Sequence, residues 1–580
     1  MASNGERGTT RLPTYVDGLD NLLDGGLPDR RLTLLYGGTG VGKTVLALEV
    51  VVNNAMAGLP GVVVGFEESP EELIDNHASF NWELADKVGD TIHLLGARVE
   101  DEFRDVGRFE ISGLLASIEA KIRQTGARWV VIDGLDALLG TLGDRVVAMR
   151  ELFRLKRWLT GCGVAVVVTA KLDQPDNTGA THFRDMPYVA DCVVTLRNTV
   201  HERTFRRTLR VVKIRGGQSS SAEVPFVITP EGVILARREN RRMDYQAITE
   251  RITTGVGRLD TLLDGGYVRG SSILISGAPG TAKTTLAASF AEAMAKRGER
   301  ALFISFDEAG PQIAANLRSV GIDLETQCAE GRLEIMGLMA GATSAEAHYI
   351  DIRRAIQRFD PQHIIIDPIS ALAKAGGNQL AADVTERLLD LSKSHGVTFV
   401  LTSLLMVKDR LSEATESHVS TIADVWLNLT FNINQGERNR ALTVVKGRGI
   451  AHSNQVRELL LTRDGPDLAD VYIASGTVLM GTARIQKEQE VEERRQQEVE
   501  AFEKRRGELE ESIDQTAEQI TTLSRKLEQQ RTHLERLDRQ EQNNAQRHGD
   551  YAERLLRSRG ADANDRRFVG EEYDGWNGVD

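Results

Sequence analysis

The chain is written twice, and any fold proposed for it must repeat. Residues 18 to 26 read GLDNLLDGG and residues 258 to 266 read RLDTLLDGG. Each is followed by an apolar run and a glycine-rich loop, LTLLYGGTGVGKT at 32 to 44 and SILISGAPGTAKT at 272 to 284. The spacing is 240 residues for Leu19/Leu259, Lys43/Lys283 and Glu68/Glu308 alike. Two further blocks match slightly out of register: VVIDGLDALL (130 to 139) with IIIDPISALA (364 to 373), and VVKIRG (211 to 216) with VVKGRG (444 to 449). A period this long means two complete domains in tandem; solenoid repeats are far shorter.

Within each copy, short β-branched runs alternate with helical stretches. They are Leu32–Tyr36, Val62–Phe66, Trp129–Ile132 and Ala165–Thr169, then Ser272–Ser276, Leu302–Phe306, His363–Ile366 and Thr398–Thr402. Apolar strands between helices predict an α/β fold with a parallel sheet covered on both faces. The expected layout is an arm (1–10), a first domain (11–246), a second (247–483), a coiled coil (484–546) and a disordered tail (547–580), with a linker near Arg237–Ile248.

Gly37, Gly38, Thr39, Gly40, Val41, Gly42, Lys43 and Thr44 form a phosphate-loop pattern between a predicted strand and a predicted helix. Backbone N–H groups at such a helix N-terminus cradle phosphate oxygens, the lysine neutralises them and the threonine hydroxyl ligates Mg²⁺. The second loop runs Gly277, Ala278, Pro279, Gly280, Thr281, Ala282, Lys283, Thr284, Thr285, with Ala282 in place of the glycine before the lysine. If that residue has helical φ a Cβ is tolerated; if φ is positive, alanine is penalised. Asp133 and Asp367 end apolar runs, where a carboxylate orients the Mg²⁺ shell with Thr44 and Thr284. Glu67–Glu68 and Asp307–Glu308 follow the second strand of each copy, placed to activate a water or a hydroxyl. ATP and Mg²⁺ are the implied cofactors.

Together these residues resemble the KaiC family of clock ATPases and autokinases, over about Thr10 to Arg484. The resemblance implies two RecA-like P-loop halves, an ATPase followed by an ATPase/kinase, stacked as two rings of a homohexamer. Glu67 and Glu68 would then activate hydrolytic water, and Asp307 and Glu308 the hydroxyl to be phosphorylated. Asp307 stands where the family usually has glutamate. The segment SEATESHVSTIADVWLNL (412 to 429) matches the family's autophosphorylation segment, with Ser420 and Thr421 at the phosphorylated positions and Thr415 at a threonine implicated in phosphate shuttling. Lys213/Arg215 and Lys446/Arg448 match the cations a neighbouring subunit lends to the transferring phosphate. By the same resemblance a KaiB-type protein is a partner. KaiA is not required, because the segment it acts on is replaced here by a helix.

That helix is legible as a heptad repeat. From Val499, positions a and d are Val499, Phe502, Arg506, Leu509, Ile513, Thr516, Ile520, Leu523, Leu527, Gln530, Leu534 and Leu537, nine of the twelve apolar. The stripe predicts a coiled coil, pairing either between two hexamers, as a dodecamer, or within one. The formal net charge of −13 argues against a surface built on nucleic-acid phosphates. No run approaches the ~20 apolar residues of a membrane span, and three widely spaced cysteines match no metal pattern. A cytoplasmic protein is expected. Two alternatives stay open: a nucleotide-gated scaffold without autophosphorylation, and a DNA-dependent motor on the same fold.

Overall fold

The computed structural model describes residues 10–97, 111–140, 145–171, 186–201, 204–217, 222–237, 248–404, 423–434, 436–453, 455–474 and 477–558. Thr415, Ser420, Thr421 and the linker residues 238–247 lie outside them.

The first domain carries a nine-stranded sheet. Its strands are β1 (Leu32–Gly37), β2 (Gly61–Gly65), β3 (Ile92–Gly96), β4 (Trp129–Asp133), β5 (Ala165–Lys171), β6 (Cys192–His201), β7 (Thr204–Ile214), β8 (Val224–Thr229) and β9 (Gly232–Leu235). They lie in the order β3-β2-β4-β5-β1-β6-β7-β8-β9. β3 through β6 in that order pair in parallel, and β6 through β9 antiparallel.

The second domain repeats the order with β10 (Ser272–Gly277), β11 (Ala301–Ser305), β12 (Leu333–Gly337), β13 (His363–Asp367), β14 (Thr398–Leu404), β15 (Val425–Asn434), β16 (Glu437–Gly447), β17 (Arg457–Thr462) and β18 (Gly465–Ala469). The four strands expected per domain are present. The antiparallel extension was not anticipated; its long hairpin strands join apolar runs to polar stretches such as RNTVH (197–201) and ERNR (437–440).

Burial explains which residues became the centre. Val62, Val63, Val64, Val130 and Val131, like Ile364, Ile365 and Ile366, are fully buried, since helices cover both faces of the parallel part. The repeated Leu-Asp block is a turn lock. Asp20 Oδ1 accepts from the Thr14 N–H at 2.7 Å, and Asp260 Oδ1 from the Thr254 N–H at 2.7 Å. The domains also touch. Arg206 pairs with the buried Glu346 at 3.0 Å, Arg354 with Glu231 at 2.7 Å, and Arg387 donates to the Ala236 carbonyl at 3.0 Å.

The C-terminal unit is one helix, Gly481–Ser558. It runs past residue 546 into the segment expected to be disordered. Residues 547–558 are rich in good helix formers, with Tyr551 and Leu555 one turn apart. All nine apolar a and d residues are exposed in the single chain, from 48% at Leu537 to 72% at Phe502.

Candidate nucleotide sites

Each phosphate loop leaves the end of the central strand and enters a helix, α1 (Lys43–Met56) after β1 and α2 (Lys283–Lys296) after β10. The residue before each lysine is left-handed, Gly42 with φ 101° and Ala282 with φ 77°. The question posed by Ala282 is therefore answered: the second loop carries a strained residue that a glycine would relieve.

Lys43 donates to the Gly37 and Gly38 carbonyls at 3.0 and 2.7 Å. Lys283 does the same to Gly277 and Ala278 at 3.0 and 2.9 Å. Burial lowers the pKa of both ammonium groups from the usual amine value. The Thr44 hydroxyl donates to Asp133 at 3.0 Å, and Thr284 to Asp367 at 2.7 Å. A second threonine, Thr169 or Thr402, donates to the same carboxylate from the adjacent strand. Sequence reading missed this threonine, because it is marked only by β5 and β14 lying beside β4 and β13.

Burial pushes Asp133 and Asp367 upward, against those hydrogen bonds. A divalent cation at the threonine–aspartate pair would offset that cost, so the donor set fits Mg²⁺ held with phosphate oxygens and water. Among the described residues no three His, Cys, Asp or Glu side chains gather into an all-protein metal cage.

The paired acids divide. Glu68 turns to Asn76 (3.1 Å) and Glu308 to Asn316 (3.0 Å), each eight residues on. Glu67 pairs with Lys171, at the end of β5 and level with Gly37. Gly134, with φ 76°, gives it room: a Cβ there would lie 2.8 Å from Glu67 Cγ. The pair with Glu67 holds Lys171 above the usual amine value. The second site differs at each of these points. Leu404 replaces Lys171 in register, Pro368 replaces Gly134, and Ser370 replaces Asp136 in accepting the strand-end N–H. Asp307 faces an exposed Lys374 at 3.7 Å.

The cations expected to act in trans lie elsewhere. Arg215 N–H bonds to the Asp191 carbonyl, and Asp191 N–H to Leu32, the first residue of the strand that ends at the loop. Five residues of strand put ~16 Å between that level and Gly37. Lys213 donates to the carbonyls of Pro187, Tyr188 and Ala190. Arg448, Asp424 and Ser272 repeat the arrangement. Neither pair of cations sits at its own domain's loop.

Comparison with known proteins recovers the same duplication. A family model described as "ATPase: KaiC" matches residues 12–240 and again 252–469. The chain belongs to the KaiC ATPase family. It is 38% identical over 495 residues to the circadian clock protein KaiC2 of a Synechocystis sp., covering 84% of this chain and 86% of that protein. The circadian clock oscillator protein KaiC of Prochlorococcus marinus is 34% identical over 486 residues, covering 83% and 97%. The KaiC family match ends before the long helix begins at Gly481. Among the described residues no helix is long and apolar enough to cross a membrane.

Proposed function

We propose that this KaiC-family chain is a Mg²⁺-dependent ATPase and serine/threonine autokinase and autophosphatase, a timer of circadian or hourglass type assembled as a homohexamer. The observation that supports it most directly is Asp424, three residues after Thr421 in sequence, tied to Arg448 at the end of the sheet away from its own phosphate loop. Of the described residues in sequence on either side of 405–422, Leu404 ends β14 level with Gly277 at the phosphate-loop end, and Val425 begins β15 beside Ile273 at the opposite end. Thr421 and Ser420 stand three and four residues before Asp424, a reach of ~10 to 14 Å.

In the first domain Lys43 and the loop amides bind the triphosphate, Thr44 and Asp133 hold Mg²⁺, and Glu67–Glu68 orient the attacking water. Lys213 and Arg215 of an adjacent copy stabilise the charge on the transferred phosphoryl group. Bound Mg²⁺ supplies Lewis-acid neutralisation of the phosphate oxygens. In the second, Asp307–Glu308 accept the proton of the Ser420 or Thr421 hydroxyl. With leucine in place of Lys171, Asp307 meets the exposed Lys374 at 3.7 Å instead of a strand-end lysine.

Each phosphate adds about −1.5 to −2 charge at a subunit boundary, a change that a KaiB-type partner reads. KaiA is not required, and the exposed apolar stripe of the helix pairs with further copies, joining hexamers into a dodecamer or helices within one. The reading places the protein in the cytoplasm. The test is incubation with ATP and Mg²⁺ followed by phosphopeptide mapping. Phosphate on Ser420 or Thr421 is expected; its absence would remove the kinase and leave an ATPase.

A further inference from the structure

We propose that Asp191 and Asp424 are positioning residues that hold the cations each subunit presents to its neighbour's nucleotide. The inference rests on the ring reading above and adds to it a residue in each domain. Both aspartates open a strand beside the phosphate-loop strand, preceded by alanine, and both lie at the far end from the loop.

The contacts recur in detail. The backbone N–H of Arg215 bonds to the Asp191 carbonyl at 2.9 Å, and that of Arg448 to Asp424 at 2.8 Å. The guanidinium groups return to the carboxylates, Arg215 at 3.4 Å and Arg448 at 3.7 Å. A lysine from the helix before β5 (Arg145–Cys162) or β14 (Gly377–His395) reaches the other oxygen, Lys156 at 3.0 Å and Lys393 at 3.8 Å. In the second domain that oxygen also accepts from Ser272 N–H and Oγ, at 3.0 and 2.8 Å.

The two lysines are not counterparts. Aligning Gly163–Val164 with Gly396–Val397 places Leu389 opposite Lys156 and Thr160 opposite Lys393. A cation reaches the carboxylate from different turns of the same helix, so the charge arrangement recurs although the residue position does not. Each carboxylate therefore lies among three cations. Burial and the neighbouring Arg215 lower the pKa of Lys213; burial and Arg448 do so for Lys446. Three like charges packed together repel, and a carboxylate at 5% exposure, as at Asp191, is what keeps them in one geometry. Removing it takes from each arginine the carboxylate it pairs with.

A cis role is the competing explanation, because Asp191 also bonds through its N–H to the strand that carries its own loop. Subunit mixing separates the two. Asp191→Asn rings and Lys43→Ala rings are each prepared as full-length protein, then co-assembled, and ATP hydrolysis is compared with the sum of the two alone. If Asp191 serves the neighbour, mixed rings regain first-domain activity, because Asp191→Asn loops then face intact cations on Lys43→Ala subunits. The pair Lys213→Ala/Arg215→Ala with Lys43→Ala is run beside it.

Regain in that control but not with Asp191→Asn would show that Asp191 acts on its own chain, and would overturn the proposal while leaving the ring intact. No regain in either would remove both. Should Asp191→Asn fail to assemble, Asp191→Glu, which keeps the charge one methylene away, takes its place with the same outcomes.

Discussion

Ala282 offers the sharpest test of how the two loops differ. Its φ of 77° puts an L-residue in the left-handed region, where the strain is ~1–2 kcal/mol. Ala282→Gly removes that strain but returns ~0.4–1 kcal/mol of chain entropy to the unordered loop. The net gain is about 0.5–1 kcal/mol, or about two- to fivefold in the population of the binding conformation. The assay is fluorescent-nucleotide titration in a Lys43→Ala background, which silences the first site, and tighter binding by that factor is expected.

Gly42→Ala is the mirror experiment. There φ is 101° and the new Cβ would lie 2.7 Å from Ile228 Cδ1, so strain and contact add, and first-site affinity should fall by about tenfold or more. If Ala282→Gly leaves affinity unchanged or weaker, the strain is not what distinguishes the loops and the reasoning fails.

Three other outcomes follow from named contacts. Lys171→Leu, which installs the second domain's residue, should lower first-site kcat up to about fivefold with KM for ATP little changed. The pair with Glu67 is part-exposed and worth no more than ~1 kcal/mol. Lys171→Arg should restore the rate, and a change in KM alone would refute a role in holding Glu67. Burial raises Glu49 to about 8, above its usual 4.5. The native state therefore keeps a proton that the unfolded chain loses, and stability falls as pH rises from about 4.5 through about 8. Glu49→Gln, which can still accept the Val233 N–H, should raise the thermal midpoint more at pH 8.5 than at pH 5; an equal effect at both would count against it. Deleting residues 484–558 should leave a hexamer by mass measurement, and a dodecamer that persists without them would show that the helix does not join rings.

Sequence alone determined the duplication, the two phosphate loops, the aspartates ending β4 and β13, and the heptad stripe. All are local patterns: a loop needs its glycines and lysine within eight residues, a buried strand needs a continuous apolar run, and a helix face needs a period near 3.5. What it could not determine depends on which strands become neighbours. Thr169 and Thr402 join the site only because β5 and β14 lie beside β4 and β13. Lys171 meets Glu67 across 104 residues of chain, and nothing local marks either residue as the other's partner. Asp424 stood inside the segment that sequence reading quoted, yet its tie to Arg448 appears only when antiparallel pairing brings β16 back to the start of β15. The helical φ that alanine at 282 would have tolerated was likewise ruled out by the tertiary fold. The turn from β10 into α2 demands a left-handed residue there, and the chain supplies alanine.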